Sequence, residues 1–311
     1  MKRQAMIVCI AAMLSAGCAV AQSGVQSGEG QAVVTVLPRQ HSELAPNISM
    51  QDLNIKVNGK ESSVTGWTPF RAPDDRLELV ILIQSPARNL GRQFDELGHF
   101  IQGLDPQTKA AIAYMDHGHA AFAAPLTADH AQVVKELQLA VGSSASPYFC
   151  LSDLAKNWPS QERGVRREVL MVTDGVDPYN PRNDLDDTYV QAAINDAVRA
   201  GLVVYSIYWN GRGDADATAG GSANASLSLL STVTQATGGT SYGVGMSNPV
   251  SFQPYLDDLA RRLENQYRLS FSARLDRKPA VENLSLKLSG FAAQVDAPGQ
   301  VFIEPAGAAA E

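Results

Sequence analysis

Four stretches of the chain are almost continuously apolar: Leu77–Ile83 (LELVILI), Lys109–Met115, Glu168–Thr173 and Leu202–Trp209 (LVVYSIYW). Runs of this length and composition predict strands buried on both faces. Helical spacing fills the intervals. Leu90, Phe94, Leu97, Ile101 and Leu104 recur on one face, and Val133, Leu137 and Val141 follow a Thr127 cap. Tyr148–Trp158 predicts a short helix. Val190, Ala193, Ile194 and Val198 predict another, capped by Asp186 or Asp187 and stopped at Gly201. Leu227–Ala236 and a Ser251-capped helix with Phe252, Tyr255, Leu256, Leu259 and Leu263 complete the set. Ala120–Ala123 and Ser241–Val244 are short strand candidates, and Gly142–Pro147 and Gly211–Ser222 are loops. Strands alternating with helices predict a parallel sheet covered on both sides.

The flanks follow a different period. Gln31–Pro38, Leu53–Val57 and Val64–Phe70 predict strands, with a tight hairpin turn at Asn58-Gly59. After Gln266 the pattern returns to β in Tyr267–Ala273, Leu284–Leu288 and Val301–Ile303. The predicted fold class is α/β, a Rossmann-like, mostly parallel sheet with helices on both faces, flanked by β segments. The simplest assembly pairs the two β portions into one small β-sandwich, with the α/β part as a long insertion. The expected divisions are 1–21 signal peptide, 22–30 disordered lead-in, 31–74 N-terminal β segment, 75–266 α/β domain, 267–305 C-terminal β segment and 306–311 tail.

The start of the chain changes the compartment. Lys2 and Arg3, an apolar run over Ala5–Leu14 and the small residues Ala19-Val20-Ala21 predict a signal peptide cleaved before Gln22. The run is too short for a membrane span. Ser15-Ala16-Gly17-Cys18 approaches a lipoprotein signal, with Leu14 one place too early, so anchoring at Cys18 stands as the alternative to soluble export to the periplasm, cell surface or medium. The chain carries 25 basic and 32 acidic residues, net −7, and loss of Lys2 and Arg3 makes it −9. An acidic chain without a basic cluster argues against a nucleic-acid partner. With Cys9 and Cys18 in the signal, Cys150 stands alone. That excludes an intramolecular disulfide and a cysteine zinc site, and places Cys150 as a small buried hydrophobe.

Candidate chemistry gathers after the strand ending in Thr173-Asp174-Gly175, because ligands in open α/β sheets sit beyond the carboxyl ends of strands. Asp177, Asp184, Asp186 and Asp187 crowd the next loop as a solvated acidic rim, without calcium-loop spacing. Asp116-His117-Gly118-His119 reads as a turn between strands, and Arg212-Gly213-Asp214 as a short adhesion-type match in an exposed loop. No G-x-S-x-G elbow, phosphate-binding G-x-x-x-x-G-K or dinucleotide G-x-G-x-x-G is present. The expectation is a protein that is not an enzyme.

LELVILI, REVLMVTDG, AGLVVYSIYW, ATGGTSY and DDLARRLENQYRLSFSA together resemble the von Willebrand factor type A fold over residues 75–266. With SPYFCLSDLAKNWP and the β flanks, the chain looks closest to bacterial, chiefly acidobacterial, exported proteins related to that family. The resemblance implies adhesion or complex assembly through a divalent cation at the top of the sheet, in a metal-ion-dependent adhesion site. Its ligands are Asp-x-Ser-x-Ser after the first strand, a Thr from a middle loop and an Asp after the fourth strand. Residue by residue, Asp174 matches. The first Asp position falls on Gln84, and the two Ser positions fall on Pro86 and Arg88. Ser144 or Ser146 aligns loosely with the Thr. Such a set is too poor for a dedicated Mg²⁺ site, so no metal or other cofactor is expected. Two readings of the site stay open: Arg88 replaces the ion by pairing with Asp174, or Arg88 points to solvent and Asp174 caps the next turn. The expected partner is a protein, met on a top face that includes Arg88, Asp174, Asp177, Tyr179 and Tyr189. Tyr148 and Trp209 are further aromatic candidates whose simpler role is core packing. An envelope scaffold that binds through its β segments is the alternative.

Overall fold

The computed structural model describes residues 26–39, 47–71, 75–85, 90–138, 146–210, 220–243, 247–275, 278–290 and 293–307. Three strands open the chain: β1 (Gln26–Pro38), β2 (Leu53–Val57) and β3 (Lys60–Pro69). The middle contains β4 (Leu77–Gln84), α1 (Gly91–Gln102), β5 (Lys109–Asp116), β6 (His119–Thr127), α2 (His130–Lys135), α3 (Pro147–Lys156), β7 (Arg166–Thr173), α4 (Thr188–Arg199), β8 (Leu202–Tyr208), α5 (Gly220–Thr237), β9 (Ser241–Tyr242) and α6 (Gln253–Glu264). It closes with β10 (Gln266–Leu275), β11 (Ala280–Leu288), β12 (Ala293–Asp296) and β13 (Gln300–Pro305).

The middle forms a six-stranded sheet in the order β6-β5-β4-β7-β8-β9. Counted within this part, the order is 3-2-1-4-5-6, that of a doubly wound sheet. All pairs are parallel except β5–β6, joined by the turn at His117-Gly118. The apolar runs reflect this burial. Leu79, Ile81 and Ile83 of β4 face a core shared with Leu97 and Ile101 of α1 and with Leu256 and Leu259 of α6. Val80 and Leu82 face the other core, with Leu151 of α3, Ile194 of α4 and Val233 of α5. Alternate residues point to opposite faces of a strand, so a strand covered on both sides is apolar throughout. The switch point, where strand order reverses, lies between β4 and β7. It brings Gln84 next to the end of β7.

The flanking strands correct the expected sandwich. They form one antiparallel sheet, β10-β3-β2-β11-β13-β1-β12, and β10 also pairs with β1 along Gln26–Thr35. That pairing closes the sheet into a barrel around Val34, Val36, Leu269, Phe271 and Ile303. A sandwich keeps free edges, whereas closure removes them. The hairpin at Asn58-Gly59 is as expected, with φ of 49° and 73° and Val57 opposite Lys60.

Other expectations are also corrected. Residues 26–30 are strand rather than disordered lead-in. Gly28 and Gly30 pair with both β10 and β13, and a Cβ on Gly30 would lie 2.5 Å from Phe271 Cζ and 2.8 Å from Ile303 Cδ1. The absence of a side chain lets two barrel side chains cross there. Thr127 ends β6, and Asp129 caps α2 instead, accepting the Gln132 N–H. Pro147 opens α3 instead of ending a loop, and Gly220, Gly221 and Ser222 belong to α5. Helix α6 starts after Phe252, because Glu96 of α1 accepts the Phe252 N–H at 2.6 Å and the Ser251 hydroxyl at 2.8 Å. Strand β12 has no counterpart in the sequence reading. Val141 and Val244 lie outside the described residues. No helix among the described residues is long and apolar enough to cross a membrane.

Candidate functional site

At the switch point the end of β4 meets the loop after β7 through one side chain. The Asp174 N–H donates to Gln84 Oε1 at 2.8 Å, and the Thr173 hydroxyl donates to the same oxygen at 2.5 Å. A backbone N–H can only donate, which fixes the orientation of the amide. Gln84 Nε2 then donates to Asp174 Oδ1 at 2.9 Å, an oxygen that also accepts the Val176 N–H at 2.9 Å. Asp174 is 2% exposed. Gln84 thus bonds both one carboxylate oxygen and the backbone N–H of the residue it faces.

This arrangement bears on the ion that the resemblance implied. A hard cation needs lone pairs converging on one point. Gln84 Oε1 has both lone pairs engaged by donors, and its amide directs an N–H at the carboxylate that would be a ligand. As placed, Gln84 offers a cation no free lone pair on its amide oxygen. Among the described residues no group of three or more His, Cys, Asp or Glu could hold a metal. Pro86, Arg88 and Ser144 lie outside the described residues. Ser146 caps α3 by accepting the Phe149 N–H. Asp174 Oδ1 accepts the Val176 N–H, a bond compatible with both readings of Arg88.

The acidic loop divides. Asp184 and Asp186 are exposed, with Asp184 Oδ1 accepting the Asp186 N–H, and Asp187 caps α4 through the N–H groups of Tyr189 and Val190. Asp177 is no part of a solvated rim, being 1% exposed. Its Oδ1 accepts the Tyr179 N–H, and its Oδ2 has no hydrogen-bond partner. Burial pushes its carboxyl above the usual range, against the Tyr179 N–H and the neighbouring Ser146 hydroxyl.

The exposed part of this face is aromatic. Tyr179 is 63% exposed and Tyr189 53%. Both lie on Phe149, Tyr179 stacked at 5.0 Å between centroids and Tyr189 edge-on at 4.8 Å. The turn between β5 and β6 borders them, since a Cβ on Gly118 would be 3.6 Å from Phe149. Phe149 was missed by the sequence reading. Helical period could have found it, because Tyr148, Leu151 and Leu154 fill the buried face of α3 and leave Phe149 outside. Tyr148 is fully buried and donates to Gly175 O, and Trp209 packs edge-on against Phe252, so both belong to the core. His117 and His119 contact different carboxylates, Asp116 and Asp153, and do not converge. Burial pushes the Cys150 thiol up to about 12, which keeps it protonated and inert. Arg212, Gly213 and Asp214 lie outside the described residues.

No protein-family model matches the chain, and no curated protein does. Solved structures do resemble it. An aerotolerance-related membrane protein from Bacteroides fragilis is 14% identical, with 60% of this chain and 98% of that one covered and a TM-score of 0.43. The vWF domain of the type V pili tip protein Mfa5 from Porphyromonas gingivalis is 13% identical, with coverage of 63% and 95% and a TM-score of 0.42. The pilus adhesin SpaC from Lactobacillus rhamnosus GG is 10% identical, with coverage of 86% and 48% and a TM-score of 0.45.

Proposed function

We propose that this is an exported, non-enzymatic protein that binds a protein partner through the top of its α/β sheet without a metal ion. The observation that carries the reading is Gln84. Its amide holds Asp174 by hydrogen bonds where an ion-dependent site would use a cation. Beside that centre stand Tyr179 and Tyr189, packed on Phe149, with rings that combine contact area with a polar hydroxyl. Aromatic residues of this kind dominate binding hot spots. The alternative scaffold reading gains less support, because closure of the barrel leaves fewer strand edges for a partner to extend.

The test is capture of partners from envelope extract, run with Mg²⁺ and with chelator. Capture is expected to be the same in both. The double substitution Tyr179→Ala and Tyr189→Ala should weaken it by roughly 30-fold, the effect of about 2 kcal/mol at a hot spot. Capture that disappears with chelator would overturn the ion-free reading. Turnover of a substrate that vanishes in Asp174→Ala would overturn the non-enzymatic one.

A further inference from the structure

At the opposite end of the sheet, where β7 and β8 begin, a cleft of about 580 Å³ separates the α/β part from the barrel. That volume is in the range of small-molecule sites, which favour junctions between structural units. Five arginines line it, Arg163, Arg166, Arg167, Arg199 and Arg268, against three glutamates, Glu29, Glu162 and Glu304. A net positive cleft runs against the charge of the chain, −7 overall.

The charges are not equally available. Arg166 is paired with Asp75 and Glu168, and Glu162 with Lys109 and Arg76. Arg167, Arg199 and Arg268 have no carboxylate partner among the described residues. Arg199 lies 5.2 Å from the centre of the Phe302 ring. Arg268 lies 5.0 Å from that of Phe70 and donates to Gly164 O at 2.9 Å. Arg167 lies 5.9 Å from that of Trp158 and donates to the carbonyls of Ser160 and Glu162. A guanidinium has five N–H groups, so these contacts leave donors over. Planar donors backed by rings recognise carboxylate and phosphate oxygens two at a time. Val33, Phe70, Val198 and Phe302 give the same cleft an apolar lining. Glu29 and Glu304 stand opposite one another across β1 and β13, so that part of the barrel rim repels an anionic head and directs it to Arg167 and Arg199 of the α/β wall and to Arg268 on β10.

We infer that this cleft binds a small organic anion, a carboxylate or phosphate head on an apolar body. The inference is independent of the top face. It is tested with the full chain by fluorescence titration of 1-anilinonaphthalene-8-sulfonate, an apolar anion. One saturable site is expected, weakened at least tenfold in Arg199→Gln/Arg268→Gln and unchanged in Tyr179→Ala. Displacement by 2-naphthoate and by naphthyl phosphate then distinguishes a carboxylate head from a phosphate head by which competes at lower concentration. Circular dichroism reports whether the double variant folds. If it does not, Arg199→Gln alone, at an exposed position, is the variant, with a loss of threefold or more expected. Non-saturable fluorescence, or equal affinity in the wild type and the folded arginine variant, would overturn the inference.

Discussion

Gln84 and Asp174 illustrate how one side chain changes the chemistry of a site. The amide accepts from the Asp174 N–H and the Thr173 hydroxyl while donating to the Asp174 carboxylate. Removing it by Gln84→Leu withdraws partners from a buried carboxylate and a buried backbone donor together. The expected loss is about 2–3 kcal/mol, measured by urea denaturation, since unsatisfied buried groups carry their full desolvation cost. A loss below about 0.5 kcal/mol, the scale of a neutral surface change, would mean that the contact carries no weight. In the sequence Gln84 read only as a lost ligand. Its reach to two groups on β7, 89 and 90 residues later, depends on strand pairing that no local pattern records.

At the scale of elements, β1 has the most to explain. Its first residues are glycine and polar, a composition typical of unstructured leaders. They are ordered because β10 and β13 both pair with them, and because Gly28 and Gly30 leave room for Phe271 and Ile303 to cross the barrel wall. Gly30→Val should therefore destabilise the protein by about 1–3 kcal/mol through overpacking, read as a lowered midpoint in thermal unfolding. An unchanged midpoint would show that the barrel relaxes there at no cost. Strands β4, β5, β7 and β8 were legible in outline because burial on both faces leaves an apolar run. The caps of α2 and α6 were not, since Asp129 competes locally with Thr127 and Glu96 reaches α6 from another helix.

For the molecule as a whole, the junction of barrel and sheet rests on a buried polar network. Arg166 bonds to Asp75 before β4, to Leu263 O at the end of α6, to Gln266 at the start of β10 and to Glu168. Glu168 is fully buried, and burial pushes its carboxyl up to about 7, against the attraction of Arg166. Its usual value is 4.5. Between these pH values the native state holds a proton that the unfolded chain releases, so this contribution is full below the lower value and is lost as pH rises through the upper one. Urea denaturation at pH 5 and pH 8 should show a fall in stability with pH that shrinks in Glu168→Gln by on the order of 3 kcal/mol. Identical pH dependence in both proteins would rule out Glu168 as the group responsible.

By itself the sequence determined the alternation of β and α elements, the doubly wound class of the middle and the placement of Asp174 beyond a central strand. Those follow from burial, which imposes a period on each element locally. Tertiary structure alone decided that the flanking strands close into a barrel, that Asp177 is buried and Tyr179 exposed within one loop, and that Gln84 holds Asp174. Each depends on which distant backbone lies alongside, and a pairing between residues far apart in the chain leaves no periodic trace in either partner.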